Sequence, residues 1–255
     1  MPTRAHPLRD IALAVSTLTA LPLRVVWPEG EPTDAPGYYP LVGLGLGALA
    51  VGALAALRVA GWVGGAPLVI AGFIVALWAI ATRMLHWDGL GDVADAFWAH
   101  DRGRRLEIMS DSSIGAFAVT AIALCIVVQT AALSYSLASE RWWAVLAVPA
   151  FSRFAATCAA WFGRPARPEG LGASVIGPPR AGATLPAALA TLAASMVCVI
   201  NGGTTGAVVA VAGVLLALVI PHVVSLRFGG VTGDVMGASV VLIETILFAV
   251  VALGG

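Results

Sequence analysis

Long apolar runs separated by short polar breaks dominate the chain. A bilayer core of about 30 Å is crossed by roughly 20 helical residues. Seven runs reach that length, at about 41–61, 65–85, 115–137, 142–162, 182–200, 206–225 and 236–253. Near the N-terminus, "LRDIALAVSTLTALPLRVVW" (residues 8–27) starts with Arg9 and Asp10 and is interrupted by Pro22 and Arg24. That pattern predicts an interfacial or partly re-entrant helix rather than an eighth span. The expected fold is all-α: a polytopic integral membrane helical bundle of about seven transmembrane helices plus this N-terminal helix. It forms a single domain over residues 1–255.

Composition strengthens this picture. The chain is 59% hydrophobic and only 11% charged, where soluble domains run near 25% charged. No room is left for a large soluble domain, and a net charge of zero gives no bias toward nucleic acid. Each of Cys125, Cys158 and Cys198 falls inside an apolar run without paired spacing. Neither a disulfide nor a zinc site is expected. The N-terminal stretch lacks a small-residue cleavage site, so no cleaved signal peptide is expected.

All fourteen basic residues are arginine, and their distribution sets a topology. With the N-terminus inside, eleven lie on inner segments, only Arg58 and Arg141 lie outside, and Arg153 falls within the fourth span. This positive-inside bias places the charge-rich loops at about 86–114, 163–181 and 226–236 in the cytoplasm.

The stretch Met84–Phe117 holds six of the fourteen acids. Asp88, Asp92 and Asp95 are spaced i, i+4, i+7 and fall on one helical face. Three carboxylates so close repel one another, and a divalent cation removes the conflict. Oxygen-only ligands favour Mg²⁺, Mn²⁺ or Ca²⁺ over zinc. Mg²⁺ takes one or two carboxylates and shares phosphate oxygens with a substrate. The alternative is a solvated acidic face at a helix end. His86 is expected opposite the aspartates, as a phosphate or metal contact or as an interfacial histidine.

Further along, Arg104 and Arg105 are suited to bidentate phosphate binding, or else mark the inner side of the membrane. Asp111 or Ser112 is placed to cap the third span, and such a helix start is also an anion site. In "RFGGVTGDVMGA", Thr232 and Asp234 add oxygens to a glycine-rich turn that otherwise reads as an ordinary cap. Arg153 and Glu244 are ionisable groups at membrane depth, which is costly and by default functional; they are candidates to pair. Together these residues suit metal-assisted phosphoryl or phosphodiester transfer. A CDP-alcohol phosphotransferase is the nearest chemical alternative, but "DGLGDV" lacks its Ala-Arg. A transporter, the alternative from another class, should show polar residues or broken helices near midplane, where only Arg153 and Glu244 stand.

Four blocks, "HWDGLGDVADAF", "RRLEIMSDSSIGAF", "RPEGLGAS" and "GGVTGDVMGA", follow in order over the whole length. They resemble the cobalamin synthase family, also called adenosylcobinamide-GDP ribazoletransferases. The resemblance implies a bacterial inner-membrane enzyme late in vitamin B12 assembly. There, α-ribazole or its 5′-phosphate attacks the phosphate of adenosylcobinamide-GDP, GMP leaves, and Mg²⁺ is the cofactor. Asp88, Asp92 and Asp95 carry over as metal or diphosphate-site carboxylates. His86, Asp111, Arg153, Arg164 and Asp234 carry over as further site residues. A homo-oligomer is left open. The chain departs from the family where Arg83 and Met84 replace customary glycines, Val93 a threonine, Ser110 and Ser113 basic residues, and Val241 an acid.

Overall fold

The computed structural model describes residues 7–23, 25, 33–61, 66–111, 113–168, 171–179 and 181–254. Among them there is no strand, only an isolated bridge between Pro165 and Val231. The helices run in order α1 (Pro7–Leu18), a 3-10 turn (Ala35–Tyr38), α2 (Tyr39–Val59), α3 (Pro67–Ala81), α4 (Leu85–Ala96), α5 (Arg102–Ile108), α6 (Ala116–Ala138), α7 (Trp142–Phe162), α8 (Leu171–Val175), α9 (Ala181–Phe228) and α10 (Gly233–Leu253). Among the described residues, five helices are long and apolar enough to cross a membrane, and the α3–α4 pair adds a sixth when taken together.

The seven apolar runs all lie on these helices, but two share one element. The 48 residues of α9 would extend about 72 Å if straight, more than twice a bilayer core. The chain breaks at Gly203, whose φ of 53° and ψ of −131° leave helical space. Beyond it Gly206 packs directly on the backbone of Cys198, where a Cβ would collide with the carbonyl. The fifth and sixth runs are therefore two arms of a tight reversal.

At the N-terminus, α1 covers only 12 residues, about 18 Å. It is too short to cross, as expected from Pro22. Its Asp10 is buried and accepts a hydrogen bond from the Thr33 hydroxyl at 3.0 Å. Arg24 and Trp27 lie outside the described residues.

The centre of the bundle is α7, buried along most of its length and packed between α2, α9 and α10. Its approach to α2 is closest at Gly43 and Gly47, where a Cβ would strike the carbonyls of Pro149 and Leu146. Small residues four apart permit this contact. Deep in the bundle Arg153 of α7 is ion-paired with Glu244 of α10, and Ser152 Oγ donates to the same Glu244 oxygen at 3.1 Å. Both charges are buried, and pairing is what makes that tolerable.

The active end is created by a corner. α3 stops at Ala81 and the chain turns by 89° into α4, which packs against α10 and α6. The corner uses two consecutive left-handed residues, Arg83 (φ 53°) and Met84 (φ 56°). These are the positions where the family resemblance calls for glycine, and the backbone supplies the reason. Arg83 recovers one contact, because its Nη2 donates to the Ser16 carbonyl at 3.1 Å. Met84 makes no such bond. A left-handed L-residue costs about 1 kcal/mol or more relative to glycine. Met84→Gly is expected to raise the thermal unfolding midpoint in detergent, and Arg83→Gly to gain less. A melting series with Met84→Gly at or below the parent protein contradicts strain at this corner.

Candidate active site

Four polar segments meet at this end, and backbone contact between α4 and α10 sets their spacing. A Cβ on Gly89 would stand 2.8 Å from the Asp234 carbonyl oxygen and 2.9 Å from its Cα. One on Gly237 would stand 3.2 Å from the His86 Cα. Only glycines allow the two helices to cross this closely. The crossing brings the start of α10, with Asp234, against the acidic face of α4.

The electrostatics of Asp92 reflect that convergence. Burial, and then the carboxylates of Asp234, Asp88 and Asp95, push its carboxyl up to about 7, against the opposing pull of Arg167. Asp234, from the far end of the chain, is thus the largest of the charges acting against Asp92. Among the described residues, no three His, Cys, Asp or Glu side chains form a ready-made metal cage. Mg²⁺ needs no such cage, since it retains waters and takes one or two carboxylates together with substrate phosphates.

Asp95 is used differently from the expectation that it shares a metal face with Asp88 and Asp92. Its Oδ2 accepts the Gly115 N–H at 2.6 Å and its Oδ1 the Ala118 N–H at 2.9 Å. It therefore caps the N-terminus of α6 from a neighbouring helix. Asp111, one of the two residues expected to provide that cap, does not. Asp111 is exposed and accepts the Ser113 N–H at 3.0 Å, which holds its carboxyl below the ordinary range. Ser112 lies outside the described residues. Local spacing pointed to the nearest acid, whereas the helix end is met by one twenty residues back.

Most arginines at this end tie loops together. Arg102 donates from Nε to the Phe228 carbonyl at 3.2 Å and from Nη2 to the Ala166 carbonyl at 2.8 Å. Arg105 Nη1 donates to the Arg227 carbonyl at 2.8 Å, and Arg167 Nη2 to the Leu106 carbonyl at 2.6 Å. Arg227 closes the set, donating to the Phe97 carbonyl at 3.0 Å with its guanidinium over the Phe97 ring. Arg105, expected to bind phosphate, is committed to this lacing. Arg104 points outward and pairs with Glu107 at 2.9 Å, both well exposed. Arg164 is exposed too, but its carbonyl accepts the Val231 N–H at 2.7 Å, and the Ala166 N–H donates back to Val231 at 3.0 Å. Arg167 is not singled out by the sequence, and Arg102 is read there only as one of the same basic cluster as Arg104 and Arg105. Their neighbours Arg104, Arg105 and Arg164 are singled out, and spacing alone does not rank members of one basic cluster.

Thr232 is the N-cap of α10. Its Oγ1 accepts the Val235 N–H at 3.1 Å, and its hydroxyl donates to Asp234 Oδ2 at 3.3 Å. Arg153 does not reach the cavity as a free cation, because Glu244 and Ser152 occupy it. Beside the carboxylates lies a cavity of about 150 Å³, walled by α1, α2, α4, α7, α8 and α10. Asp88, Asp234 and His86 share it. His86 was expected opposite the aspartates, but α4 begins only at Leu85 and the cavity wraps around that first turn. Burial, reinforced by the Arg153 guanidinium, pulls the His86 imidazole well below its ordinary range, so it is neutral.

The chain matches the family model of cobalamin-5-phosphate synthase over residues 10–252. It is 40% identical over 206 residues to the adenosylcobinamide-GDP ribazoletransferase of Frankia casuarinae, covering 74% of this chain and 70% of that protein. It is 42% identical to the Syntrophobacter fumaroxidans protein of the same name, over 62% of this chain and 64% of that one. With the Geobacillus thermodenitrificans protein so named, it shares 37% identity over 94% of both chains. No solved structure matches the chain. A match that runs through the acidic face of α4, the "RPARPEG" loop and the start of α10 alike covers every segment that builds the site, and the chain belongs to the cobalamin-5-phosphate synthase family.

Proposed function

We propose that the chain is an adenosylcobinamide-GDP ribazoletransferase, with its site at the cytoplasmic face of a bacterial inner membrane. The acceptor is α-ribazole or its 5′-phosphate. An acceptor hydroxyl oxygen forms a bond to the cobinamide-linked phosphorus of adenosylcobinamide-GDP and releases its proton to water. The bond from that phosphorus to the GMP oxygen breaks, and GMP leaves. The observation that carries this reading is the convergence of Asp234 on Asp88 and Asp92, which the α4–α10 crossing enforces.

The donor set fits Mg²⁺. It consists of carboxylate oxygens, and their mutual repulsion at Asp92 is what a cation relieves. Asp88, Asp92 and Asp234 are the side chains that would hold it. Bound there, Mg²⁺ neutralises phosphate charge and aligns the attacking and leaving oxygens. The chain's own residues do the rest. Arg167 adds a positive charge beside the carboxylates. Thr232 holds the Asp234 carboxylate through its hydroxyl. Gly229 and Gly230, both with positive φ, let the α9–α10 turn lie against Arg102 and the "RPA" backbone.

Three outcomes test the reading. Purified protein with adenosylcobinamide-GDP, α-ribazole and Mg²⁺ is expected to release GMP. Asp88→Asn and Asp92→Asn should each reduce that release by about two orders of magnitude or more. Asp92→Asn should melt no lower than the parent, whereas Asp95→Ala removes a helix cap worth about 1–2 kcal/mol and should melt lower. If Asp95→Ala kept its melting point and lost activity, Asp95 would be a ligand rather than a cap.

The pH dependence has a definite sign. Asp92 is raised from 3.8 to about 7 in the folded protein. Its contribution to stability is complete below 3.8 and is lost as pH rises through about 7. Without divalent cation, melting points should decline over that window, and Asp92→Asn should flatten the decline. Cation and proton compete for Asp92, so the Mg²⁺ concentration for half-maximal rate should climb as pH falls below about 7. A rate profile with the same Mg²⁺ requirement at pH 6 and pH 8 contradicts the assignment.

Eleven of fourteen arginines lie on segments assigned inside. A cysteine introduced between Arg102 and Asp111 should accordingly react with an impermeant thiol reagent only from the cytoplasmic side. Labelling from the opposite side inverts the topology.

A further inference from the structure

The cavity beside the carboxylates is mostly apolar. Its apolar walls include Leu18 of α1, Ala156 of α7, Val175 of α8 and Met236 of α10, and its polar members are Thr17, Tyr39, Asp88, Asp234 and His86. His86 is 4% exposed, and its Nε2 is buried without a hydrogen-bond partner. An unsatisfied polar atom in an apolar enclosure costs stability unless a ligand supplies its partner. At about 150 Å³ the cavity is smaller than usual pockets for whole ligands, which begin near 300 Å³. An apolar hole of about that volume accommodates a single aromatic ring such as benzene. The cavity is therefore sized for a small aromatic ring system and not for a nucleotide or a corrin.

We propose that this cavity receives the aromatic base of the ribazole acceptor, with His86 Nε2 donating to the ring nitrogen that carries no sugar. The inference rests on the reading under Proposed function and adds which half of the reaction the cavity serves. Ribazole is the riboside of a dimethylated benzimidazole. Its base is apolar except for one acceptor nitrogen, which matches a chamber with apolar walls and one unpartnered buried imidazole nitrogen. With the base inside, the ribose end of the acceptor faces Asp88 and Asp234. The attacking oxygen thus lies beside the carboxylates while the bulky donor stays outside the cavity. Ala156 and Met236 both line the cavity, so a base seated there meets these two side chains and they help set which bases are accepted.

The test is steady-state kinetics of the full chain in detergent, with both substrates varied. Ala156→Leu fills the cavity and is expected to raise the KM for α-ribazole about tenfold or more, as one misfitted hydrocarbon group does, with the KM for adenosylcobinamide-GDP unchanged. It should also shift preference toward the unmethylated benzimidazole riboside. Met236→Ala adds room instead, and is expected to improve the relative kcat/KM of bases bulkier than dimethylbenzimidazole. This second variant keeps the inference testable if Ala156→Leu misfolds. Unchanged base preference in Met236→Ala overturns the proposal. So does a selective rise in the KM for adenosylcobinamide-GDP in either variant, which would give the cavity to the donor. If the parent protein releases no GMP from these substrates, the proposed function has failed. If it turns over normally and only base preference is insensitive, the function stands and this inference falls.

Discussion

The active end depends on one contact: the backbone of α4 lying on the backbone of α10 at Gly89 and Gly237. A side chain at Gly89 would collide with the Asp234 backbone and force the helices apart, and one at Gly237 would press on the His86 backbone. The Asp234 carboxylate would then move away from Asp92 and Asp88. The repulsion that raises Asp92 to about 7 is the electrostatic signature of this contact. The bundle holds charges together that would otherwise separate, and it can do so because helix packing fixes their distance. Glycines that look like flexible punctuation in "DGLGD" and "GDVMG" act as rigid spacers.

Two other features keep this crossing in register. Deep in the bundle, Arg153 and Glu244 join α7 to α10 through a buried ion pair. Breaking such a pair leaves an uncompensated charge and costs far more than the intact pair contributes, so α10 cannot slide or rotate relative to α7 without penalty. At the surface, Arg102, Arg105, Arg167 and Arg227 donate to carbonyls in neighbouring loops. These carbonyls belong to loops and helix ends, where the backbone lacks internal partners. Guanidinium groups with several donors can satisfy them while spanning two or three segments. The same lacing explains why arginine-rich loops pack closely despite like charge.

The sequence was most legible where the code is local. Apolar runs marked each membrane helix, and the i, i+4, i+7 aspartates marked the acidic face of α4. Arg153 and Glu244 stood out as costly charges at membrane depth and as candidates to pair, and it is the structure that shows the pair. What escaped were long-range partners. Asp95 looks like a third member of its face until α6 is folded against it and its carboxylate meets two N–H groups. Asp234 is a candidate oxygen ligand in the sequence, but its partners Asp88 and Asp92 emerge only when Gly89 admits it to the cluster. The reversal inside α9 was legible as a glycine turn, but the direct packing of Gly206 on Cys198 was not. The departures at Arg83 and Met84 gained meaning only from their positive φ values.

The position of α4 also accounts for the size of what the site can enclose. If α3 continued straight, Asp88 and Asp92 would hang beyond the bundle in water, with no walls around them. The 89° corner folds them back against α10 and α6, so that one side of the carboxylate cluster faces the largely apolar cavity and the other remains open. The chamber is too small for a corrin, and the helices around it are closely packed. A substrate as large as adenosylcobinamide-GDP can therefore present only its phosphate to the carboxylates, from the open side. An enzyme joining one small and one very large partner is well served by this asymmetry, because water is excluded around the small one without the fold having to surround the other.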